Sequence, residues 1–463
     1  MQGGTRKKTL TGELGNMAIK HAHWSSRWAF IMAAVGSAVG LGNIWKFPYE
    51  AGEGGGGAFV LVYLAFVFLI GTPVLVAELS LGRRGQLSPI RSMEKIAKEE
   101  GRTNWWSLIG WSGVIGAFIV ISFYSVVGGW TLAYVAEAVT GGLAGISSEG
   151  ATDKFTGLIS NPYMPLVWHA VFMSITMFIV MRGVEGGLEK AVTILMPALF
   201  VILIGLVIYS GYTGDFKAAV DFLFKPDWSK MNAGVALNAL GQSFFSLSLA
   251  LGSIMVYGSY LTRDVNIGKA AVTIAGADSA VAILAGLAIF PIVFAYGLQP
   301  DASAGLVFMT LPIAFGQMTG GVIIGTLFFA LLVVAAITSS ISLMEPAVSY
   351  LDDTGKVSRK KAAVIIGASA YAVGVLSSLS QGVLSDFTVM GLDVMGIKDF
   401  LTSNLIMPLG GMFTALFVGW FVTRKAMMDE LAMNERWFRI WYFMIRFICP
   451  VAIGAVFVNI TFL

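Results

Sequence analysis

The sequence AVGLGN, at residues 38–43, places two conformationally flexible glycines and one amide side chain inside an apolar stretch. Gly40 and Gly42 have no side chain that would keep a ligand away from backbone N–H and C=O groups. In an unwound helix, free N–H groups at a half-helix N-terminus attract an anion, and free carbonyl oxygens attract a cation. Asn43 adds a neutral oxygen suited to Na⁺. A packing kink made by the glycines and Pro48, with Asn43 capping a half-helix, would explain the glycines, but not Asn43, Lys46 and Pro48 together.

A second group of oxygens lies in AAITSSISLMEP, where Thr338, Ser339 and Ser340 are consecutive within an apolar segment. Hydroxyl groups in membrane helices usually donate to a backbone carbonyl of their own helix, and for any one of them we prefer that interpretation. Three hydroxyls beside Ala335 could instead direct several oxygens toward one cation.

Two carboxylates interrupt apolar sequence at Asp278 and Glu78. A carboxylate within a membrane is costly and is therefore a functional candidate. For Glu78 we predict a structural pairing with Arg83 or Arg84 at the membrane interface. Asp278 has no basic neighbour in the sequence, so a cation or a proton is its expected partner.

The composition is that of a polytopic helical membrane protein. Of the 463 residues, 56% are hydrophobic and 12% charged, about half the charged fraction of a soluble domain. The net charge of +3 is too small to indicate nucleic-acid binding. Cys449 is the single cysteine, which excludes a disulfide within the chain. GEGGGG lacks the Lys-Ser/Thr of a phosphate-binding loop, and no motif indicates an organic cofactor or an enzyme.

Eleven apolar stretches predict eleven membrane-spanning helices. Basic residues are concentrated in alternate connections, such as Arg83 and Arg84 after the second span. The positive-inside rule then predicts a multi-pass protein of the cell (inner or plasma) membrane with a cytoplasmic N-terminus, and the odd span count places Leu463 outside. The predicted spans lie near residues 25–50, 57–82, 107–138, 163–181, 188–212, 233–261, 268–297, 318–350, 361–380, 396–423 and 437–461.

Corresponding helices of two five-span halves contain sequence that favours a break. AVGLGN interrupts span one, and FFSLSLALGS, at residues 244–253, interrupts span six. Inverted-repeat transporters place ion and substrate sites at such breaks. We therefore predict an all-α protein with a five-plus-five inverted repeat. Its parts are a cytoplasmic segment at 1–24, repeats at 25–212 and 233–423, an extracellular connection at 213–232 and an eleventh helix within 424–463.

Several ordered motifs together resemble the neurotransmitter:sodium symporter family over essentially the whole chain. They are GSAVGLGNIWKFPY, GGGAF, AELSLGR, FYSVVGGW, GQSFFSLSLALGS and TSSISLMEP. The resemblance implies the LeuT-type fold, in which helices 1 and 6 unwind at mid-membrane and bind the substrate with two Na⁺ ions.

The resemblance also implies a set of site residues. The first Na⁺ would be bound by Ala38, Asn43, Ser246 and Asp278. The second would be bound by Gly36, Val39, Ala335, Thr338 and Ser339. The substrate pocket would comprise Ser37, Gly40, Gly42, Val120, Tyr124, Phe245, Ser248, Leu251, Ser339 and Leu343.

Within this pocket, Tyr124 and the amides near Gly42 would bind the substrate carboxylate, and Phe245 would be the lid. Gly40 stands where monoamine carriers of the family have an Asp, so the substrate should be an amino acid whose carboxylate completes the first Na⁺ shell. Leu251 replaces a Phe of the leucine-selective relative, and the apolar lining favours large hydrophobic or aromatic side chains.

The resemblance also implies which residues form the outer and inner gates of the transport path. The outer pair would be Lys46 with Asp399, although Asp393 is an alternative, and Lys in place of the commoner Arg weakens a bidentate pairing. The inner gate would comprise Trp24, Tyr260, Glu345 and Asp353, and the resemblance places His21, beside Lys20, at its usual N-terminal basic position. In span five, Pro197 of GLEKAVTILMP could allow unwinding that opens a water path to the second Na⁺ site.

Chloride dependence is not expected. Animal relatives bind Cl⁻ beside the first Na⁺ site through a Tyr, a Gln, a Ser or Thr, an Asn and a further Ser. Tyr63, Gln242 and Ser246 match the first three, but Asp278 stands at the Asn and Ala282 at the last Ser. Asp278 would supply the negative charge itself.

The leading hypothesis is therefore Na⁺-coupled symport of large hydrophobic or aromatic L-amino acids by alternating access. The expected partners are the amino acid and the lipid bilayer, with no nucleic acid and no obligate protein partner. A sensor that binds without transporting is the alternative. A channel ranks third, because Tyr124 and Phe245 would occlude it.

Overall fold

A computed structural model describes residues 23–300 and 305–462, with side chains up to residue 457. The predicted segment at 1–24 lies almost entirely outside these ranges, as do Lys20 and His21.

Nine helices of the described residues are long and apolar enough to cross a membrane, and the bent pair Arg27–Ala38 and Gly42–Glu53 makes a tenth. We count the two helices on either side of residues 247–252 as one further broken helix, in the place of the predicted sixth span. The spans are Arg27–Ala38 with Gly42–Glu53 (α1), Gly57–Gly85 (α2), Asn104–Val139 (α3), Met164–Met181 (α4), Val184–Thr213 (α5), Ala233–Ser246 with Ser253–Ser259 (α6), Ile267–Ala295 (α7), Gly321–Asp353 (α8), Arg359–Leu379 (α9), Val394–Phe421 (α10) and 435–462 (α11).

Shorter helices lie in the connections. They are Pro89–Glu99, Ser148–Ser160, Phe216–Phe224, Leu306–Gln317 and Arg424–Leu431. The predicted connection at 213–232 thus contains a helix of its own. We call the end of the bundle that carries Arg84, Arg182, Arg263, Lys356 and Arg424 the basic end, and the other end the opposite end.

The break in α1 begins where the backbone becomes extended at Val39, with ψ of 108°. The helix then restarts as a wide turn over Gly42–Lys46 and continues to Glu53. The two halves are bent by 46°. Pro48 lies directly after this wide turn, at the start of the regular helix Phe47–Glu53.

The break in α6 contains three residues in the left-handed region. Their φ angles are 53° at Ser248, 59° at Ala250 and 74° at Gly252. Non-glycine residues rarely adopt this conformation, and each costs about 1 kcal/mol or more. Contacts with neighbouring helices must therefore hold the break.

Hydrogen bonds join the two breaks to each other. Ser248 Oγ donates to the Ser37 carbonyl at 2.7 Å, and Gln242 Nε2 donates to the Gly42 carbonyl at 2.7 Å. Helix α2 packs so closely behind α6 that a Cβ at Gly82 would lie 1.9 Å from the Met255 carbonyl oxygen. The unwound segments are thus buried between helices, the only place where irregular backbone is tolerated at membrane depth.

The pairing predicted for Glu78 is wrong. Its side chain is buried, and Oε1 accepts the Ala250 N–H at 2.6 Å, inside the α6 break. Arg83 instead pairs with Glu430 at 2.6 Å, and Arg84 pairs with Glu99 and Glu100. Glu78 therefore supplies a hydrogen-bond acceptor to backbone that the break leaves without a helical partner.

We expect Glu78→Leu to destabilise the protein relative to Glu78→Gln. Glutamine keeps an acceptor for the Ala250 N–H, whereas leucine leaves it unpaired at a cost of about 1–3 kcal/mol. Thermal unfolding of the two purified variants measures the difference. A leucine variant that melts at or above the temperature of the glutamine variant would contradict this role.

Candidate functional site

A small cavity, with a volume of about 20 Å³, lies at the level of the two breaks. Helices α1, α3, α6 and α8 enclose it. All side chains that line it are uncharged: Ser37, Ala38, Gly40, Gly42, Val120, Tyr124, Phe245, Ser248, Leu251, Ser339 and Leu343. The structure thus brings together every residue predicted for the substrate pocket, and adds Ala38.

The neighbours of residue 40 are so close that only glycine fits at this position. A Cβ at this position would lie 2.4 Å from Ser339 Oγ and 2.9 Å from Tyr124 Oη. Tyr124 Oη accepts the Leu41 N–H at 3.1 Å, so its own O–H remains able to donate. A phenolic donor beside unwound backbone in an uncharged cavity can orient a carboxylate.

Asp278 lies beside the α1 break and is fully buried. Its Oδ1 accepts from Asn43 Nδ2 at 2.7 Å, and its Oδ2 accepts from the Tyr63 hydroxyl at 3.2 Å. Ser246 Oγ lies 3.1 Å from the Tyr63 oxygen. Within the described residues no lysine or arginine pairs with Asp278. Because a buried carboxylate without a counter-ion is unfavourable, this group is suited to bind a cation or a proton.

Asn43 can contribute to the same group. Its Oδ1 accepts the Gly40 N–H at 3.1 Å, and its Nδ2 points toward Asp278. A carbonyl oxygen has two lone pairs, so Oδ1 retains one for a cation.

The residues predicted for the second Na⁺ lie together where α1 crosses α8. Ser339 Oγ lies 3.3 Å from the Val39 carbonyl, whereas Thr338 Oγ1 donates to the Ala335 carbonyl of its own helix at 3.0 Å. A Cβ at Gly36 would lie 3.4 Å from Thr338 Cβ. These neutral oxygens are of the type that coordinates Na⁺ at unwound backbone.

Toward the opposite end, Lys46 closes the route to the cavity. Its Nζ lies 3.1 Å from Asp399 Oδ2 and 5.0 Å from the centre of the Phe245 ring. Asp393 instead accepts the Gly396 N–H at 2.7 Å and caps the start of α10. Of the two predicted acids, Asp399 is therefore the one that contacts Lys46.

A larger cavity, with a volume of about 300 Å³, lies beyond this pair. Phe245 and Tyr124 line both cavities and so form the partition between them.

Toward the basic end, Trp24 packs against Tyr260 with ring centres 5.9 Å apart. The Tyr260 hydroxyl donates to Glu345 Oε1 at 2.5 Å, and Arg359 Nη2 lies 2.6 Å from Glu345 Oε2. Arg359 did not figure in the predicted gate. In the sequence, Arg359 is distinguished only by its place among the basic residues after span eight.

Asp353 contacts the helix Pro89–Glu99 and the segment that leads into it. Its Oδ2 accepts the Ser88 N–H at 2.6 Å, and its carbonyl accepts from Arg91 at 2.7 Å. The Asp353 carboxylate thus binds Ser88, just before the helix Pro89–Glu99, and its place in the inner gate stays a prediction.

Helix α5 is continuous through Pro197. The preceding residue, Met196, packs on α1: its Sδ would lie 3.1 Å from a Cβ at Gly36. Unwinding at Pro197 is therefore not present in this closed arrangement.

Known protein sequences are similar to this chain over most of its length. A model of the sodium:neurotransmitter symporter family matches residues 21–156 and 154–462. An uncharacterized sodium-dependent transporter of Bacillus subtilis (strain 168), YhdH, is 39% identical over 445 residues, covering 95% of this chain and 98% of that protein. A similar transporter of Haemophilus influenzae is 33% identical over 445 residues, covering 94% and 97%.

A solved structure agrees with these relatives. The crystal structure of MhsT in complex with L-phenylalanine superimposes with a TM-score of 0.90 at 46% identity. The match covers 95% of this chain and 99% of that chain.

We expect Arg359→Met to destabilise the protein because it leaves the buried Glu345 carboxylate without its counter-ion. Removing one partner of a buried pair costs about 3 kcal/mol, and the double variant Arg359→Met/Glu345→Met should recover part of that loss. Thermal unfolding of the purified variants, with Lys360→Met as the exposed control, measures both effects. Equal destabilisation by the single and double variants would show that Arg359 does not neutralise Glu345.

Proposed function

Because the chain belongs to the sodium:neurotransmitter symporter family, we propose that it imports large hydrophobic or aromatic L-amino acids together with Na⁺ by alternating access. Its relatives are sodium-dependent transporters, and it is a polytopic membrane protein rather than an enzyme.

The uncharged cavity at the two breaks carries this proposal. A charged substrate side chain would be buried there without a partner, at a large free-energy cost, whereas Val120, Phe245, Leu251 and Leu343 offer apolar contact. The similarity to MhsT, whose structure contains L-phenylalanine, supports the same substrate class.

Two Na⁺ ions are proposed to bind beside the substrate. The first would be bound by Ala38, Asn43, Ser246 and Asp278, with the substrate carboxylate completing its shell. The second would be bound by the neutral oxygens where Gly36 and Val39 meet Ala335, Thr338 and Ser339. No organic cofactor is needed, because transport requires only binding and conformational change.

The two closed partitions support alternating access. Lys46, Asp399 and Phe245 close one side of the cavity, and Trp24, Tyr260 and Glu345 close the other. We propose that the partitions open in turn, the first toward the outside of the cell and the second toward the cytoplasm. The basic end then faces the cytoplasm, consistent with the positive-inside rule.

Uptake of labelled L-phenylalanine into proteoliposomes under an imposed Na⁺ gradient tests the proposal. We expect L-phenylalanine to accumulate above its external concentration. This accumulation should be lost when the Na⁺ concentration is equal on both sides of the membrane. Specific binding without accumulation would indicate a sensor and contradict the transport proposal.

We expect Leu251→Phe to weaken tryptophan uptake by at least about tenfold and valine uptake much less. The added ring fills cavity volume that only a large side chain needs, and overpacking costs about 1–3 kcal/mol. Competition against labelled L-phenylalanine measures both affinities, with the volume-conserving Leu251→Met as control. Equal losses for tryptophan and valine would contradict this assignment of the pocket.

We expect uptake to be unchanged when gluconate replaces chloride, because Asp278 supplies the negative charge at the first Na⁺. Asp278→Asn should raise the Na⁺ concentration for half-maximal uptake by at least about tenfold, since a charge pair at 4 Å is worth about 4 kcal/mol at an effective dielectric constant of 20. Loss of wild-type uptake without chloride would refute chloride independence. An Asn variant with wild-type Na⁺ affinity would refute the ligand role of Asp278.

A further inference from the structure

A cluster of basic side chains lines a cavity at the basic end, beside the start of α3. Arg91, Lys95, Lys98 and Arg102 contribute four positive charges, and Glu94 contributes one negative charge. We call these five residues the basic cluster. The nearby carboxylates of Glu99 and Glu100 both pair with Arg84, which leaves one negative charge beside the cluster. With these three residues included, the region keeps a net charge of +2.

An apolar groove begins next to the basic cluster and runs between α3 and α10. Its walls include Trp105, Leu108, Ser112, Leu409 and Phe413. Trp105 is 76% exposed, Leu108 53% and Phe413 45%, so the groove lies open on the outer surface of the bundle. That surface faces hydrocarbon in a membrane.

Arg102 connects the cluster to the groove. Its Nε donates to the Phe421 carbonyl at 3.0 Å, and its guanidinium carbon lies 5.6 Å from the centre of the Phe421 ring, which also lines the groove. A positive pocket at the membrane surface thus adjoins the apolar groove.

We infer that the basic cluster and the groove bind one anionic phospholipid, with its phosphate at the cluster and one acyl chain between α3 and α10. A soluble anion would use the cluster but would gain nothing from the groove. A neutral lipid would use the groove but not the charges. Basic pockets between helix ends at the inner surface are typical sites for anionic headgroups.

The groove also lies directly behind the substrate cavity. Gly116 lies between the two. A Cβ at Gly116 would lie 2.9 Å from Cγ2 of Ile406, which lines the groove, and 3.0 Å from Cδ2 of Leu251, which lines the substrate cavity. A lipid chain in the groove therefore packs against the helix that carries Asp399, on the side away from the substrate.

Native mass spectrometry of the delipidated full-length protein, titrated with dioleoylphosphatidylglycerol or dioleoylphosphatidylcholine, tests this inference. We expect phosphatidylglycerol to bind at least about tenfold more tightly, because each nearby basic residue contributes about fivefold. Lys95→Gln/Lys98→Gln/Arg102→Gln should abolish the preference. The charge-matched control Lys356→Gln/Lys360→Gln/Lys361→Gln, at exposed positions of the same end, should retain it.

A second pair of variants tests the groove without changing charge. Ser112→Phe should fill the groove and weaken phosphatidylglycerol binding. Ile115→Phe, at an exposed position of the same helix outside the groove, should not. Equal binding of the two lipids, equal loss in both triple variants, or full competition by excess glycerol phosphate would each overturn the inference.

Discussion

The hydrogen bonds that join the two helix breaks are the constraint on which the rest of the structure depends. Backbone polar groups without a partner are too costly at membrane depth to be left facing lipid. Here Ser248 donates to Ser37, Gln242 donates to Gly42, and Glu78 accepts from Ala250. These bonds hold both breaks at one level and surround them with packed helices. Some backbone groups there can consequently face a cavity instead of lipid, which makes a binding site possible.

The site combines an apolar cavity with a carboxylate that has no counter-ion among the described residues. Asp278 receives hydrogen bonds from Asn43 and Tyr63, but these do not remove its charge. In our account Na⁺ supplies the missing charge, and the substrate carboxylate shares the ion. Binding of cation and amino acid is then interdependent because both use the α1 break. Closure on both sides of the cavity keeps water away from these polar groups, which strengthens their interactions.

Much of the fold could be predicted from the sequence because apolar length and glycine-rich breaks are local signals. The residues of the cavity were also predictable, since ordered motifs identify the two breaks and the helices that face them. The partners of charged residues were not. Glu78 was assigned to Arg83 or Arg84, yet these pair with other glutamates and Glu78 contacts Ala250. The Ser88 partner of Asp353 and the pairing of Arg359 with Glu345 were not predicted for the same reason: such partners are set by how helices pack, which one sequence does not reveal.

The most direct test of the account is equilibrium binding of L-phenylalanine and of phenethylamine, its decarboxylated analogue, to the purified protein at increasing Na⁺. If the substrate carboxylate shares a Na⁺ ion with Asp278, linkage requires Na⁺ to raise the affinity for the amino acid, by at least about tenfold at saturation. The affinity for the amine should change little. An equal dependence on Na⁺ for both ligands would contradict the shared ion and, with it, the proposed basis of coupling.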